Sequence, residues 1–69
     1  MATNIYRKGV DIIASGVLDS FLGGSMQPWY NYDGHISLLK MLYPDKPVDN
    51  DLNERFVDLR DQYYSRRNV

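Results

Sequence analysis

His35 is the only histidine in this 69-residue chain, and Asp33, two residues before it, is the nearest acid that could orient it. A hydrolytic triad needs a nucleophile, a base and an orienting acid. There is no cysteine to supply a thiolate. In the first turn of a helix a separation of two points side chains apart, so the pair predicts a capping or surface histidine, and no residue is assigned a catalytic role. The chain is expected not to be an enzyme.

Asp49, Asp51 and Asn53 imitate the opening of a calcium loop. The position that needs glycine for the sharp turn is Glu54, and the twelfth, which needs a bidentate glutamate, is Arg60. The match fails at both diagnostic places. Neither glycine-rich phosphate-binding pattern is present, and Gly23-Gly24-Ser25 predicts a turn and nothing more. No metal or cofactor is expected.

The side chains that do stand out are rings. Six tyrosines, one tryptophan and two phenylalanines occur in this short chain, and a buried tyrosine hydroxyl needs a partner or water. Gln27 to His35 holds the only tryptophan and the only histidine, and Pro28 and Gly34 within it oppose a continuous helix. The loop at 26–33 is therefore expected to be an aromatic joint. Its rings are expected either to fold back as a lid over the core or, where Trp29, Tyr30 and Tyr32 do not all fit beneath, to leave at least one as an anchor for a partner.

Three helices must position that joint. From residue 4 to 22, Tyr6, Val10, Ile13, Val17 and Phe21 recur at i, i+4, i+7, i+11 and i+15 on one stripe. Thr3 or Asn4 is placed to cap the start, and Gly23-Gly24 to end it. Gly9 and Gly16 lie one heptad apart on a side shared with Ile5 and Ile12, each costing about 1 kcal/mol relative to alanine. With Ser20 they form a shallow groove. Gly9, Ile12 and Gly16 are thus candidates for self-association, against the alternatives that another helix of the same molecule fills the groove or that the helix breaks there.

Residues 34–43 predict a second helix, capped by Asp33 and stopped by Pro44. It is nearly all apolar and shorter than the roughly 12–15 residues that are marginal alone in water, so it should be packed on both sides. A turn-rich linker follows. The third helix is expected over 51–66, with Asp51 and Glu54 as a capping-box variant, Asp51 and Arg55 paired at i, i+4, and a seam of Leu52, Phe56, Leu59 and Tyr63. Val57, Arg60 and Tyr64 run beside that seam as a solvated flank or a contact surface. Arg66 and Arg67 suit the helix C-terminus, and Arg60, Tyr64 and Arg67 join the three loop rings as candidate partner-binding residues.

The length allows one domain, 1–69, with a small core. Eight basic residues against nine acidic give a net charge of −1 and no global field toward nucleic acid or an anionic membrane. The best apolar run, Ile12 to Leu22, contains Asp19 and is too short to span a bilayer. The same aspartate spoils it as a secretion signal, so a cytoplasmic protein is expected. The expected fold is all-α, a small three-helix bundle. The expected function is a protein-interaction module that docks on a larger protein as inhibitor or adaptor, in the manner of small viral or bacterial regulators. A self-assembling subunit, a homodimer or larger particle, is the second expectation. Three helices also suggest a helix-turn-helix outline, but Asp51, Glu54, Asp58 and Asp61 offset Arg55, Arg60, Arg66 and Arg67 on the third helix, so nucleic acid is the weakest candidate.

Overall fold

The computed structural model describes residues 5–67. Its first element is α1, Ile5–Leu22, which runs without a break through Gly9 and Gly16. Tyr6, Val10, Ile13 and Val17 of the expected stripe are buried, joined by Ala14 and Leu18. Phe21, the fifth member, is 44% exposed and meets the core residue Phe56 in an edge-on ring contact, centroids 6.1 Å apart. The cap expected at Thr3 or Asn4 lies outside the described residues.

The helix ends where two glycines stand. Ser25 N–H donates to the Ser20 carbonyl at 2.9 Å and Gly24 N–H to the Phe21 carbonyl at 3.1 Å, the paired closing bonds of a Schellman motif. Gly24 carries the left-handed φ of +96° that the motif requires, a conformation that a Cβ would strain.

A short 3-10 turn, Tyr30–Tyr32, leads directly into α2, Asp33–Leu42. Asp33 does not cap this helix, contrary to expectation. Its φ of −58° and ψ of −41° are already helical, because the preceding turn delivers the chain in near-helical geometry and leaves no extended residue for a cap. Tyr32 stands at the N-cap without a side-chain bond. Pro44 ends α2 as expected: Tyr43, before it, turns to φ −131° and ψ 67° while its N–H still donates to the Leu39 carbonyl at 3.0 Å.

The last helix, α3, spans Val48–Arg67 and starts three residues before the expected Asp51. Pro47 supplies the first intrahelical acceptor, taking the Asp51 N–H at 2.9 Å. A proline at a helix entrance loses nothing, since that N–H would be unpaired in any case. Asp51 is therefore inside the helix and caps nothing. The expected Asp51–Arg55 pair is also absent: Tyr6 Oη donates to Asp51 at 2.5 Å, and Arg55 reaches Asp11 of α1 at 2.5 Å and Asp58 at 2.8 Å.

The fold is an all-α three-helix bundle with no strand among the described residues. Its core is mainly α1 against α3, with Val48, Leu52 and Phe56 facing the α1 stripe. The seam thins beyond Phe56, where Leu59 and Tyr63 are only half-buried. From α2 only Leu39 is buried; the helix meets α1 through Leu39 and α3 through Ile36 and Lys40, while Leu38, Met41 and Leu42 face solvent. The bundle is thin, 38 × 29 × 16 Å, and its radius of gyration of 12.7 Å exceeds the roughly 11 Å of a compact domain this long.

Candidate functional site

The glycine groove of α1 is filled from within the molecule. A Cβ on Gly9 would stand 3.2 Å from Leu39 Cδ1, and one on Gly16 would stand 2.7 Å from Cζ of Tyr32. The two glycines thus seat α2 and the aromatic joint, which corrects the expectation that they form an open self-association groove. Ile12, grouped with them by spacing, stays outside this contact and is exposed.

The three rings of the joint divide. Trp29 is half-buried, its ring 5.4 Å from Phe56 at a 56° tilt. Tyr32 is half-buried over Gly16 and lies 5.9 Å from the ring of His35, itself exposed. Tyr30 alone turns outward, at 69% exposure. The 3-10 turn explains the division: at three residues per turn Trp29 and Tyr32, three apart, eclipse and both turn inward, while Tyr30 is rotated about 120° away.

Tyr30 stands at the mouth of a cleft of about 320 Å³ between the start of α2 and the start of α3. Its apolar lining is Trp29, Tyr30, Ile36 and Leu52. Asp33 and Asn53 stand at its polar edge, and Lys40 bridges to Asp49 at 3.0 Å between the two helices. That ion pair is exposed on both sides and contributes at most about 1 kcal/mol. Its effect is to set one end of the cleft in charge while the floor remains aliphatic.

Arg60, Tyr64 and Arg67 are not part of this cleft. Tyr64 lies twelve residues beyond Leu52, about 18 Å along the helix axis. There Tyr64 sets its ring edge-on to Tyr63 at 5.3 Å, Arg67 donates to Tyr63 Oη at 2.9 Å over the same ring, and Arg60 lies 3.5 Å from Asp61. The six residues proposed from the sequence as one partner-binding set therefore form two groups, and Trp29 and Tyr30 are the two that line the α2–α3 cleft.

A second concavity runs between α1 and α3 and is charged. Arg7, Lys8 and Arg55 alternate there with Asp11, Asp51, Glu54 and Asp58. The Asp11 carboxylate, ahead of Asp58, holds the Arg55 guanidinium above its ordinary pKa. At the end of this groove the Tyr6 hydroxyl is pushed up to about 12, first by burial and then by its bond to Asp51. These contacts join residues more than forty positions apart, which no local pattern announces. Arg55 is thus paired with two acids and Arg60 lies beside a third, while Arg66 and Arg67 stand in the last turn of α3.

Asp49, Asp51 and Asn53 lie in the first turns of α3, a helix and not a loop. Among the described residues no three histidine or acidic side chains gather as a metal site, and no helix is long and apolar enough to cross a membrane. Comparison with protein-family models, with curated proteins and with solved structures found no match for this chain.

Proposed function

We propose that this chain is a non-enzymatic protein-binding module whose α2–α3 cleft receives a side chain of a larger protein and so modulates it, as an inhibitor or an adaptor, in the cytoplasm. The observation that carries this is Tyr30, a large ring held out in solvent at the mouth of a cleft floored by Leu52 and walled by Trp29 and Ile36. Aromatic side chains with one free face beside an apolar concavity are the usual anchors of protein interfaces. Asp33 and Asp49 outnumber Lys40 around it, so the fitting occupant is an aliphatic or aromatic side chain with a basic neighbour.

The test uses the immobilised chain to capture partners from host extract, with Tyr30→Ala and Asp33→Lys as cleft variants and Tyr64→Ala as a distant aromatic control. A central anchor contributes about 2 kcal/mol or more, so the captured partner should bind Tyr30→Ala roughly thirtyfold more weakly and Tyr64→Ala as the parent does. Capture unchanged by both cleft variants would overturn the reading, provided circular dichroism shows both still folded.

A further inference from the structure

We propose that a second copy of this chain covers the outer face shared by α1 and α2, pairing with it through a two-fold, antiparallel contact along α1. On α1 the side chains facing α3 are Tyr6, Val10, Ile13 and Val17, and those facing α2 and the joint are Gly9 and Gly16. Continuing around the helix at about 100° per residue, the next edge carries Ile5 and Ile12, 67% and 70% exposed. On α2, Leu39 sits on Gly9 while Ile36 and Lys40 turn toward α3. Leu38 and Leu42, 53% and 63% exposed, lie on the opposite side of Leu39. Each helix therefore shows aliphatic side chains on the flank turned away from α3, with the Gly9–Leu39 contact between them. The two flanks form one face, and this face is separate from the α2–α3 cleft.

Its size argues for an occupant. The four side chains leave roughly 100 Å² of apolar surface each in water, and Met41 at 77% exposure extends the rim. That total sits within the roughly 300–600 Å² of the largest patch on a typical monomer, a patch that is often functional. A standard interface takes roughly 800 Å² from each partner, so polar side chains around the aliphatic patch supply about half of it.

Charge selects a second copy. The same α1 edge reads Ile5, Lys8, Ile12, Ser15 and Asp19, at i, i+3, i+7, i+10 and i+14, within about 80° of arc. Its cation is at one end and its anion at the other, with the exposed isoleucine and a half-buried serine between. Lys8 and Asp19 pair with no opposite charge among the described residues. Laid antiparallel on its own copy, the edge sets each Lys8 beside an Asp19 at both ends and each Ile12 beside Ser15 of the copy, with the two Ile12 side chains about 4.5 Å apart along the axis near the middle, which a two-fold axis closes into a dimer. A net charge of −1 adds almost no repulsion between copies.

Sedimentation equilibrium across a thousandfold range of concentration tests this on the full chain. The parent should pass from monomer to dimer and stop there. Ile12→Lys and Leu42→Lys alter exposed positions, and each enters a two-fold interface twice, so the dissociation constant should rise about a hundredfold or more in each. Met26→Lys, outside the face, should match the parent. Exchanging the end charges gives the sharpest arm: Lys8→Asp alone should weaken the dimer and Lys8→Asp with Asp19→Lys should restore it. A parent that stays monomeric, assemblies that grow beyond two copies, or a dimer indifferent to both lysine variants would each overturn the proposal. Far-ultraviolet circular dichroism of every variant separates lost pairing from lost fold, and partner capture through Tyr30 is measured independently of it.

Discussion

Gly16 is the position where the packing of the aromatic joint can be tested most sharply. An alanine there would place its methyl 2.7 Å from Cζ of Tyr32 and 2.8 Å from Cε1 and the hydroxyl oxygen. Carbon contacts settle near 3.5–4.0 Å, so the ring must withdraw by about 1 Å. Overpacking of this kind costs about 1–3 kcal/mol, against a gain of about 1 kcal/mol from replacing glycine inside a helix. The net expectation is a loss of about 0–2 kcal/mol. Gly34 provides the reference: it also lies in a helix, and a Cβ there meets nothing within 4 Å. Gly34→Ala should stabilise by a few tenths to about 1 kcal/mol. The two alanine variants should thus differ by about 1–3 kcal/mol in urea unfolding followed by circular dichroism. At about 4–8 °C per kcal/mol for a domain this size, the gap is also visible in melting temperature. In a Tyr32→Ala background the clash disappears, so Gly16→Ala should turn stabilising, with a coupling of about 1–3 kcal/mol between the sites. A Gly16→Ala protein as stable as Gly34→Ala, with no coupling to Tyr32, would refute the seating of Tyr32 on Gly16.

Leu52, 1% exposed at the centre of the core, should cost about 2–5 kcal/mol when cut to alanine; because a domain of this length holds only about 3–10 kcal/mol in all, the variant should lose its cooperative thermal transition. Tyr6→Phe should lose about 1 kcal/mol with the Asp51 bond. Because the native Tyr6 keeps its proton up to about 12 while the unfolded chain releases it near 10, stability should fall as pH rises through that interval, and the fall should shrink in Tyr6→Phe; denaturant midpoints at successive pH values check it. Arg55→Gln breaks pairs whose members are 37–57% exposed, so it should cost about 0.5–1 kcal/mol, and less at high salt. Hydrogen exchange in dilute solution should find α2 opening at lower free energy than α1 or the first half of α3, since Leu39 is its only buried residue; equal protection of α2 and the Leu52 region would contradict this.

The α1 stripe and the α3 seam were legible because periodicity reports which face a helix buries, and the buried residues fall on the expected lines as far as Val17 and Phe56. Glycine and proline chemistry also carried through at the Schellman turn after α1 and at Pro44. The start of α3 was misplaced because Pro47 reads equally as a linker residue and as the entrance of a helix, and only the burial of Val48 decides between them. Gly9 and Gly16 announced a close approach without naming what approaches. Leu39 and Tyr32 do so from positions 16 to 30 residues away, beyond the reach of any local pattern. Arg55 had an acid at i−4 and another at i+3, and it took the second together with Asp11 across the bundle. Among the rings, an excess over what the core could shelter was visible in composition, but which of them faces out follows from the 3-10 turn, which the sequence did not signal.

The apolar surface left on α1 and α2 is not covered by any of the described residues of one copy. Alpha-helix α1 serves three directions at once: α3 takes its main stripe, α2 and Tyr32 take the glycine line, and Ile5 and Ile12 remain. Sliding α2 outward to cover Ile12 would lift Leu39 off Gly9 and draw Ile36 and Lys40 away from α3. Each aliphatic side chain gained would be offset by one lost, and the α2–α3 cleft would widen toward Leu52. The slab spans 16 Å in its thinnest direction, and among the described residues there is no fourth α-helix to lay over the open flank. In the proposed dimer the second copy supplies that cover, and the face it covers is bounded by Lys8 at one end of α1 and Asp19 at the other, an arrangement that fits itself when reversed.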